Sequence, residues 1–427
     1  VNSTSTTAAQ GAAERPATFR DVFAVSEFRV IFASFSVFMI GETVKMLALS
    51  VLVYERTGSG LLAALAYVTG FLPHALGGVF LLALADRWPA RAMMVGYDLL
   101  RMVMVAVLAV GALSPSAMLG LVAVVALFGP VSNAARTALL PEVLHGDAYV
   151  LGRSLLSVAS GGTQVAGFAV GGLLLGLVGP YGALWLTAVT CGLSALLVRT
   201  GLTRRPARIH YAPMTTDKPA RGAVRETLRV NRSLLADRRI RGLLLAQWLP
   251  GSLLVGAEGV AVPYAADLGP GASAGVLLMA GAGGMLVGDL LVGRFVAPAR
   301  RERWTPWLAL LLGVPMLAFV ARPSLVPAAA LFAVATAGFA YQLGLARRFL
   351  DAVPEGRRGQ AFGLVSTGMM AMQGLAAAGA GALSEVLAPG LVMALAGAAS
   401  ATATLILWPV LAPTGRPRSV GAGGAAA

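Results

Sequence analysis

From Ser154 to Val198 the chain carries no Asp, Glu, Lys or Arg. A run of that length is too long for one core helix of a soluble domain. It is long enough for two membrane spans of about 20 residues each, and Gly179-Pro180-Tyr181-Gly182 breaks it near the middle. A bare apolar run, a short break and a second run recur along almost the whole sequence. This is the pattern of a polytopic membrane protein. Hydrophobic residues make up 57% of the chain and charged residues 12%, against about 25% charged in soluble domains, and the mean hydropathy is +0.77.

Spans are expected near 30–53, 60–84, 92–113, 117–140, 149–178 and 182–199, then near 242–265, 272–297, 304–321, 324–346, 359–385 and 388–411. The fold class that follows is all-α, with about twelve transmembrane helices in two six-helix halves, 28–199 and 242–411. Residues 1–27 are expected to be a disordered and juxtamembrane N-terminus, and 412–427 a disordered tail. Residues 1–18 have no apolar core, so no cleavable signal peptide is expected there. Between the halves lies a basic linker, 200–241. In it Arg221, Arg225, Arg229 and Arg232 share one helical face and Val224, Leu228 and Leu235 another, as in a helix resting on an anionic leaflet.

The formal charge of +14 is explained by where the cations sit. Of 33 Lys and Arg, only Arg56 and Arg322 fall in loops assigned outside, and only Lys45 and Arg101 lie well inside spans; the other 29 are assigned to the opposite side. This is the positive-inside bias of cytoplasmic loops and tails, so both termini are expected in the cytoplasm and the protein in the cell (plasma or inner) membrane. A nucleic-acid partner is not expected, because the aromatic residues sit in the spans and do not alternate with the basic clusters. The lone Cys191 permits no intramolecular disulfide. No nucleotide-binding loop, metal-ligand cluster or cofactor motif stands out, so neither an enzyme nor a bound cofactor or metal is expected.

Internal echoes support two related halves. Leu140-Pro141-Glu142 resembles Val353-Pro354-Glu355, Arg29 and Arg241 open corresponding spans, and Arg87 and Arg294 close corresponding spans. Repeats of this kind place a substrate near the midplane between them.

The loop after the second span, Leu84-Ala85-Asp86-Arg87-Trp88-Pro89-Ala90-Arg91, resembles the inter-span motif of the major facilitator superfamily, G-x-L-a-D-r-x-G-r-k. Leu82 and Pro89 replace its two glycines and Ala90 one of its basic positions. The resemblance implies that Asp86, Arg87 and Arg91 form a gating motif that locks the two halves in one conformation; Asp98 and Arg101 would extend that network. Gly167-Phe168-Ala169-Val170-Gly171-Gly172 resembles the G-P-x-x-G-G core found in drug/proton antiporters. On that likeness Gly167, Gly171 and Gly172 form an antiporter-like motif; generic close packing of glycine helices is the alternative. Phe28 to Arg91 is also similar to the efflux branch that includes the enterobactin exporter, through Gly41-Glu42 and Tyr54-Glu55-Arg56-Thr57-Gly58-Ser59.

Ionisable groups inside spans are costly and mark function by default. Glu42 and Lys45 lie three apart and share a helix face; Glu258 has no opposite charge near it in sequence. Glu42 and Glu258 are the proton-coupling candidates, a self-neutralising pair being the alternative for the first and a wet vestibule for the second. Lys45, Asn133, Gln164, Gln247, Trp248, Tyr341, Gln342 and Gln373 are substrate-cavity candidates, with Met369, Met370 and Met372 as adaptable apolar wall. His74 reads as a helix-kink histidine or a proton relay, and Asp289 as part of the gating set. Together these features predict a proton-coupled exporter of a small amphiphilic compound, working as a monomer among membrane lipids. A nutrient symporter and a transport-dead sensor or scaffold are the alternatives.

Overall fold

The computed structural model describes residues 18–80, 88–206, 229–269, 272–354 and 357–412. Asp86, Arg87, Glu355, most of the expected linker helix and the two tails lie outside the described residues.

Among the described residues, eleven helices are long and apolar enough to cross a membrane. One of them is two spans in series. The helix Gly146–Gly201 contains a single non-helical residue, Gly179, at φ 68 and ψ 178, a left-handed conformation that glycine adopts at little cost. The runs before and after it are α5 and α6. The others are α1 (Ser26–Thr57), α2 (Gly60–Gly78), α3 (Ala90–Val110), α4 (Pro115–Val143), α7 (Arg238–Gly259), α8 (Ala274–Phe295), α9 (Arg300–Ala321), α10 (Leu325–Ala352), α11 (Gln360–Leu383) and α12 (Pro389–Ile406). The protein is all-α, with the twelve spans the sequence predicts.

Local signals set the ends. Gly58 stops α1 in the left-handed conformation, and the Ser59 hydroxyl accepts the Leu62 amide to start α2. Gly111 ends α3 in the same left-handed way. Ser114 caps α4, whose first turn holds Pro115, where a missing N–H costs nothing. Asp237 caps α7 by accepting the amides of Arg239 and Ile240.

The molecule is apolar outside and selectively polar within. Leu173, Leu177, Val189, Phe295 and Ile406 are exposed, as helices apolar all round are when they face lipid. Lys45, Asp98, Arg101 and Arg136 are buried. Spans α1 to α6 pack mainly on one another, as do α7 to α12; the two sets meet where α5 touches α8 and where α11 touches α2. Counting six spans on turns one of these pairings into the other.

One end of the bundle is marked by the linker. Glu27, at the start of α1, pairs with Arg205 at 2.7 Å and accepts the Thr203 amide at 2.8 Å, and Arg357 donates to Ser233 at 3.0 Å. We call this the linker end. At the opposite, hairpin end, Arg56 donates to the Leu113 carbonyl and Arg322 pairs with Asp267.

Both seams close tightly at the hairpin end. A Cβ added to Gly275 would lie 2.6 Å from the Gly172 Cα, and one added to Gly381 would lie 2.9 Å from the Leu61 Cα. Such small-residue contacts let membrane helices approach backbone to backbone. Glu385, just beyond α11, reaches over the second seam, accepting hydrogen bonds from the Ser59 hydroxyl at 2.7 Å and the Leu61 amide at 2.8 Å.

Candidate functional site

A cavity of about 570 Å³ is walled mainly by α1 to α5, with Met370 contributed by α11. It runs from Glu42, Lys45 and Tyr67 within the spans to Leu140, Tyr149 and Arg153 toward the linker end. Its volume lies within the range of small-molecule sites. The wall is mixed: Phe35, Phe38 and Met39 are apolar and aromatic, while the charges are concentrated on α1, α3 and α4.

Glu42 is the hub of those charges. The Lys45 ammonium contacts one of its carboxylate oxygens at 2.6 Å, one helical turn along α1. The Arg101 guanidinium, on α3, donates to the other oxygen. Arg101 also faces Asp98 at 3.9 Å, and the Ser194 hydroxyl of α6 donates to Asp98 at 2.6 Å. Asp98 and Arg101 are almost fully buried. The result is a continuous network from α1 through α3 to α6. The Phe38 ring lies against two guanidiniums, 4.1 Å from Arg101 and 5.1 Å from Arg136, where its π face attracts cations.

Several expected residues gather here and others do not. Glu42, Lys45, Asn133, His74 and Met370 line the cavity. Arg101, expected to extend the gating loop, instead ion-pairs with Glu42 on the cavity wall; a sequence separation of 59 hides that contact. Asp98 faces Arg101 directly, behind the cavity lining, and accepts from Ser194. Of the gating residues, Asp86 and Arg87 are outside the described set, and Arg91 donates to the carbonyl of Arg199. Asp289 is exposed on α8.

Tyr341 and Trp248 of the second set tie its own helices together, and Gln247 bonds within its own helix. Tyr341 donates to the Gln247 carbonyl at 2.9 Å, Gln247 donates to the Leu243 carbonyl, and the Trp248 indole donates to the Val365 carbonyl at 3.0 Å. Met369 and Met372 pack on the same apolar core. Gln164, Gln342 and Gln373 are half-buried and lie outside the cavity lining.

Glu258 stands apart from both groups. It is half-buried on α7 and accepts a hydrogen bond from the Tyr67 hydroxyl of α2 at 3.2 Å. Tyr67 also lines the cavity, so this bond joins the cavity wall to the other set of spans.

The glycine motif of α5 presents two faces. Gly167 packs on Thr43 and Gly171 on Leu47 and Val44, all of α1, whereas Gly172 packs on Gly275 of α8. Phe168 is helical, buried and stacked on Tyr67, with ring centroids 6.5 Å apart. The kink a proline would impose there is absent.

Arg136 is the site residue that sequence reasoning missed. Counting cations by expected side grouped it with the linker-end charges, yet it is 4% exposed inside α4 and lines the cavity. The signal was its spacing from Ser132 and Asn133, which puts all three near one helix face.

A family model described as "Major Facilitator Superfamily" matches residues 31–347. The chain belongs to that superfamily. It is therefore a multi-pass membrane protein of a transporter superfamily. Among curated relatives, the multidrug efflux pump Tap of Mycobacterium tuberculosis and of Mycobacterium bovis is 31% identical over 209 residues, covering 47% of this chain and 48% of the pump. The match thus spans about half the length of those relatives. Among solved structures, the nucleoside transporter NupG superposes with a TM-score of 0.70 at 14% identity, covering 90% of this chain and 99% of that one. The inward-open xylose transporter XylE of Escherichia coli gives 0.64 at 14% identity, covering 94% and 98%. At such identities the likeness shows the fold alone.

For a member of this superfamily the geometry has a direct meaning. The seams are closed at the hairpin end, and the cavity extends toward the linker end.

Proposed function

We propose that this transporter is a proton-coupled antiporter that exports a small amphiphilic organic compound by alternating access. The observation that carries this reading is the Tyr67–Glu258 hydrogen bond, which ties the wall of a charge-lined apolar cavity to the second set of spans. The partial likeness to Tap supports the outward direction.

In this reading the linker end faces the cytoplasm, where its basic residues satisfy the positive-inside bias, and the cavity loads from that side. The halves 28–199 and 242–411 then rock about the midplane until the hairpin end opens. Glu258 is the coupling acid. Among the described residues it makes no ion pair, so gaining or losing a proton changes the charge where α2 meets α7, between the two sets of spans, and what the Tyr67 hydroxyl can bond. A ligand can bias two conformations only by interacting differently with each, and a proton at this contact does so. Glu42 is the structural hub that keeps Lys45 and Arg101 in place. The gating loop, through Asp86, Arg87 and Arg91, holds the linker end shut in the opposite state. The protein works as a monomer in the cell membrane.

Reconstitution in liposomes with an internal pH dye tests this. Addition of amphiphilic antibiotics should cause substrate-dependent proton movement opposite to the substrate, lost in Glu258→Gln. Movement of both in the same direction would establish symport. Absence of substrate-linked flux in folded protein would reject the coupling.

A further inference from the structure

Among the described residues Arg136 is a buried charge without an ion-pair partner. Its Nε and one terminal nitrogen are buried and donate to nothing, and among the described residues it forms none of the ion pairs. Leaving a buried charge uncompensated costs several kcal/mol, so an arginine held this way needs an occupant to balance it. The nearest carboxylate, Asp98, attracts Arg136 but neither hydrogen-bonds nor ion-pairs with it. Lys45 and Arg101 are committed to Glu42, and Asp98 is shared between Arg101 and the Ser194 hydroxyl. Three cations face two carboxylates, and the excess positive charge rests on Arg136.

The surroundings select the rest of the ligand. The Arg136 guanidinium lies 5.2 Å from the Phe35 ring centroid and 5.1 Å from that of Phe38, which fixes its plane and leaves an apolar aromatic floor beside it. Ser132, one turn earlier on α4, is 3% exposed and its hydroxyl is also unpartnered. Both residues line the cavity, with Asn133 next to them. A fixed guanidinium fork and a hydroxyl on one helix face suit a planar anion accepting two or three hydrogen bonds.

We infer that Arg136 and Ser132 form an anion-binding subsite, so that the cavity takes amphiphilic organic anions, carboxylates on an aromatic-sized apolar body. The carboxylate accepts from Arg136 and Ser132 while the apolar body lies against Phe35 and Phe38. This rests on the reading of the cavity as the substrate site, and names the class of substrate it takes.

The test is binding without any gradient, so it succeeds or fails independently of the efflux assay. The full chain in phosphatidylcholine nanodiscs is titrated by calorimetry with 1-naphthoate, 1-naphthamide and 1-naphthylmethylammonium, three probes of one shape and different charge. Naphthoate should bind about tenfold tighter than the amide, the ratio expected of a hydrogen bond to a charged group, and the ammonium weakest. Arg136→Gln should erase the preference. Arg136→Lys, which keeps the charge if the first variant fails to fold, should retain only part of it, and Ser132→Ala should weaken naphthoate but not the amide. Naphthoate affinity unchanged by phosphatidylglycerol in the disc supports a soluble anion; displacement by that lipid would assign the subsite to a headgroup and overturn the proposal. Equal binding of the three probes, no binding of any, or a preference that survives Arg136→Gln would overturn it as well.

Discussion

The Glu385 carboxylate caps the first turn of α2 from the far side of the molecule, accepting the Leu61 amide at 2.8 Å across 324 residues of chain. A carboxylate there completes orphan amides and complements the positive end of the helix. The Leu61 amide, and then the Ser59 hydroxyl, hold its pKa below the usual carboxylate value. A group so depressed favours the bonded, closed hairpin end at any pH above its ordinary pKa. That contribution is lost as pH falls through the lowered value.

Glu385→Ala is therefore expected to open the hairpin end more often. With Cys191 replaced by Ser and a reporter cysteine at Ala64, buried in the seam, labelling by an impermeant maleimide should speed up several-fold. In the parent protein, distance measurements across the α2–α11 seam should widen on acidification, and the response should be smaller in Glu385→Ala. An unchanged labelling rate in the variant would show that the cap does not hold the seam.

Gly275→Ala places a methyl against the Gly172 backbone, which cannot yield as a side chain can. Overpacking of this kind costs about 1–3 kcal/mol. A lowered melting temperature is expected, with reduced occupancy of the hairpin-closed state in distance measurements between α5 and α8. Gly162→Ala, with nothing within 4 Å of the added carbon, should leave both unchanged.

Glu42→Gln strands Lys45 and Arg101. Removing one partner of a buried ion pair costs about 3–5 kcal/mol, so a large fall in thermal stability is expected. Combining it with Lys45→Met should recover part of that loss, because interacting sites are non-additive. Full additivity in the double-mutant cycle would mean that the pair is not energetically coupled.

Tyr67→Phe deletes the donor to Glu258. It is expected to cost about 1 kcal/mol of stability and to slow proton-driven transport, while substrate counterflow at equal pH continues. Loss of counterflow as well would place Tyr67 in substrate binding and not in coupling.

The apolar runs and their breaks made the twelve spans legible, including α5 and α6, because lipid demands an uninterrupted internally bonded helix from each. The Glu42–Lys45 contact was legible too, since three residues along a helix is a fixed distance. What stayed hidden depends on which helices become neighbours. Nothing in the sequence places Arg101 on Glu42, Ser194 on Asp98 or Glu385 over Ser59. Arg136 shows a different limit: it lies close enough to a span's end to be counted with the loop charges, and only the packing of α4 against the cavity reveals it as buried. The glutamines and Tyr341 carried no signal to separate a cavity wall from helix bonds: Tyr341 bonds across to the α7 backbone, and the Gln247 side chain bonds back along its own helix.

The two seams correspond in span order but differ in substance. At the hairpin end of the α5–α8 seam the contact is glycine against glycine, backbone on backbone. Where α2 meets α11 the contact ends in a carboxylate gripping a helix end. A mechanism with identical joints would part evenly at both. With one edge built as a hinge and the other as a clasp, the outer mouth would swing open from one side, and of these two joints the acidity of the medium would act on the clasp.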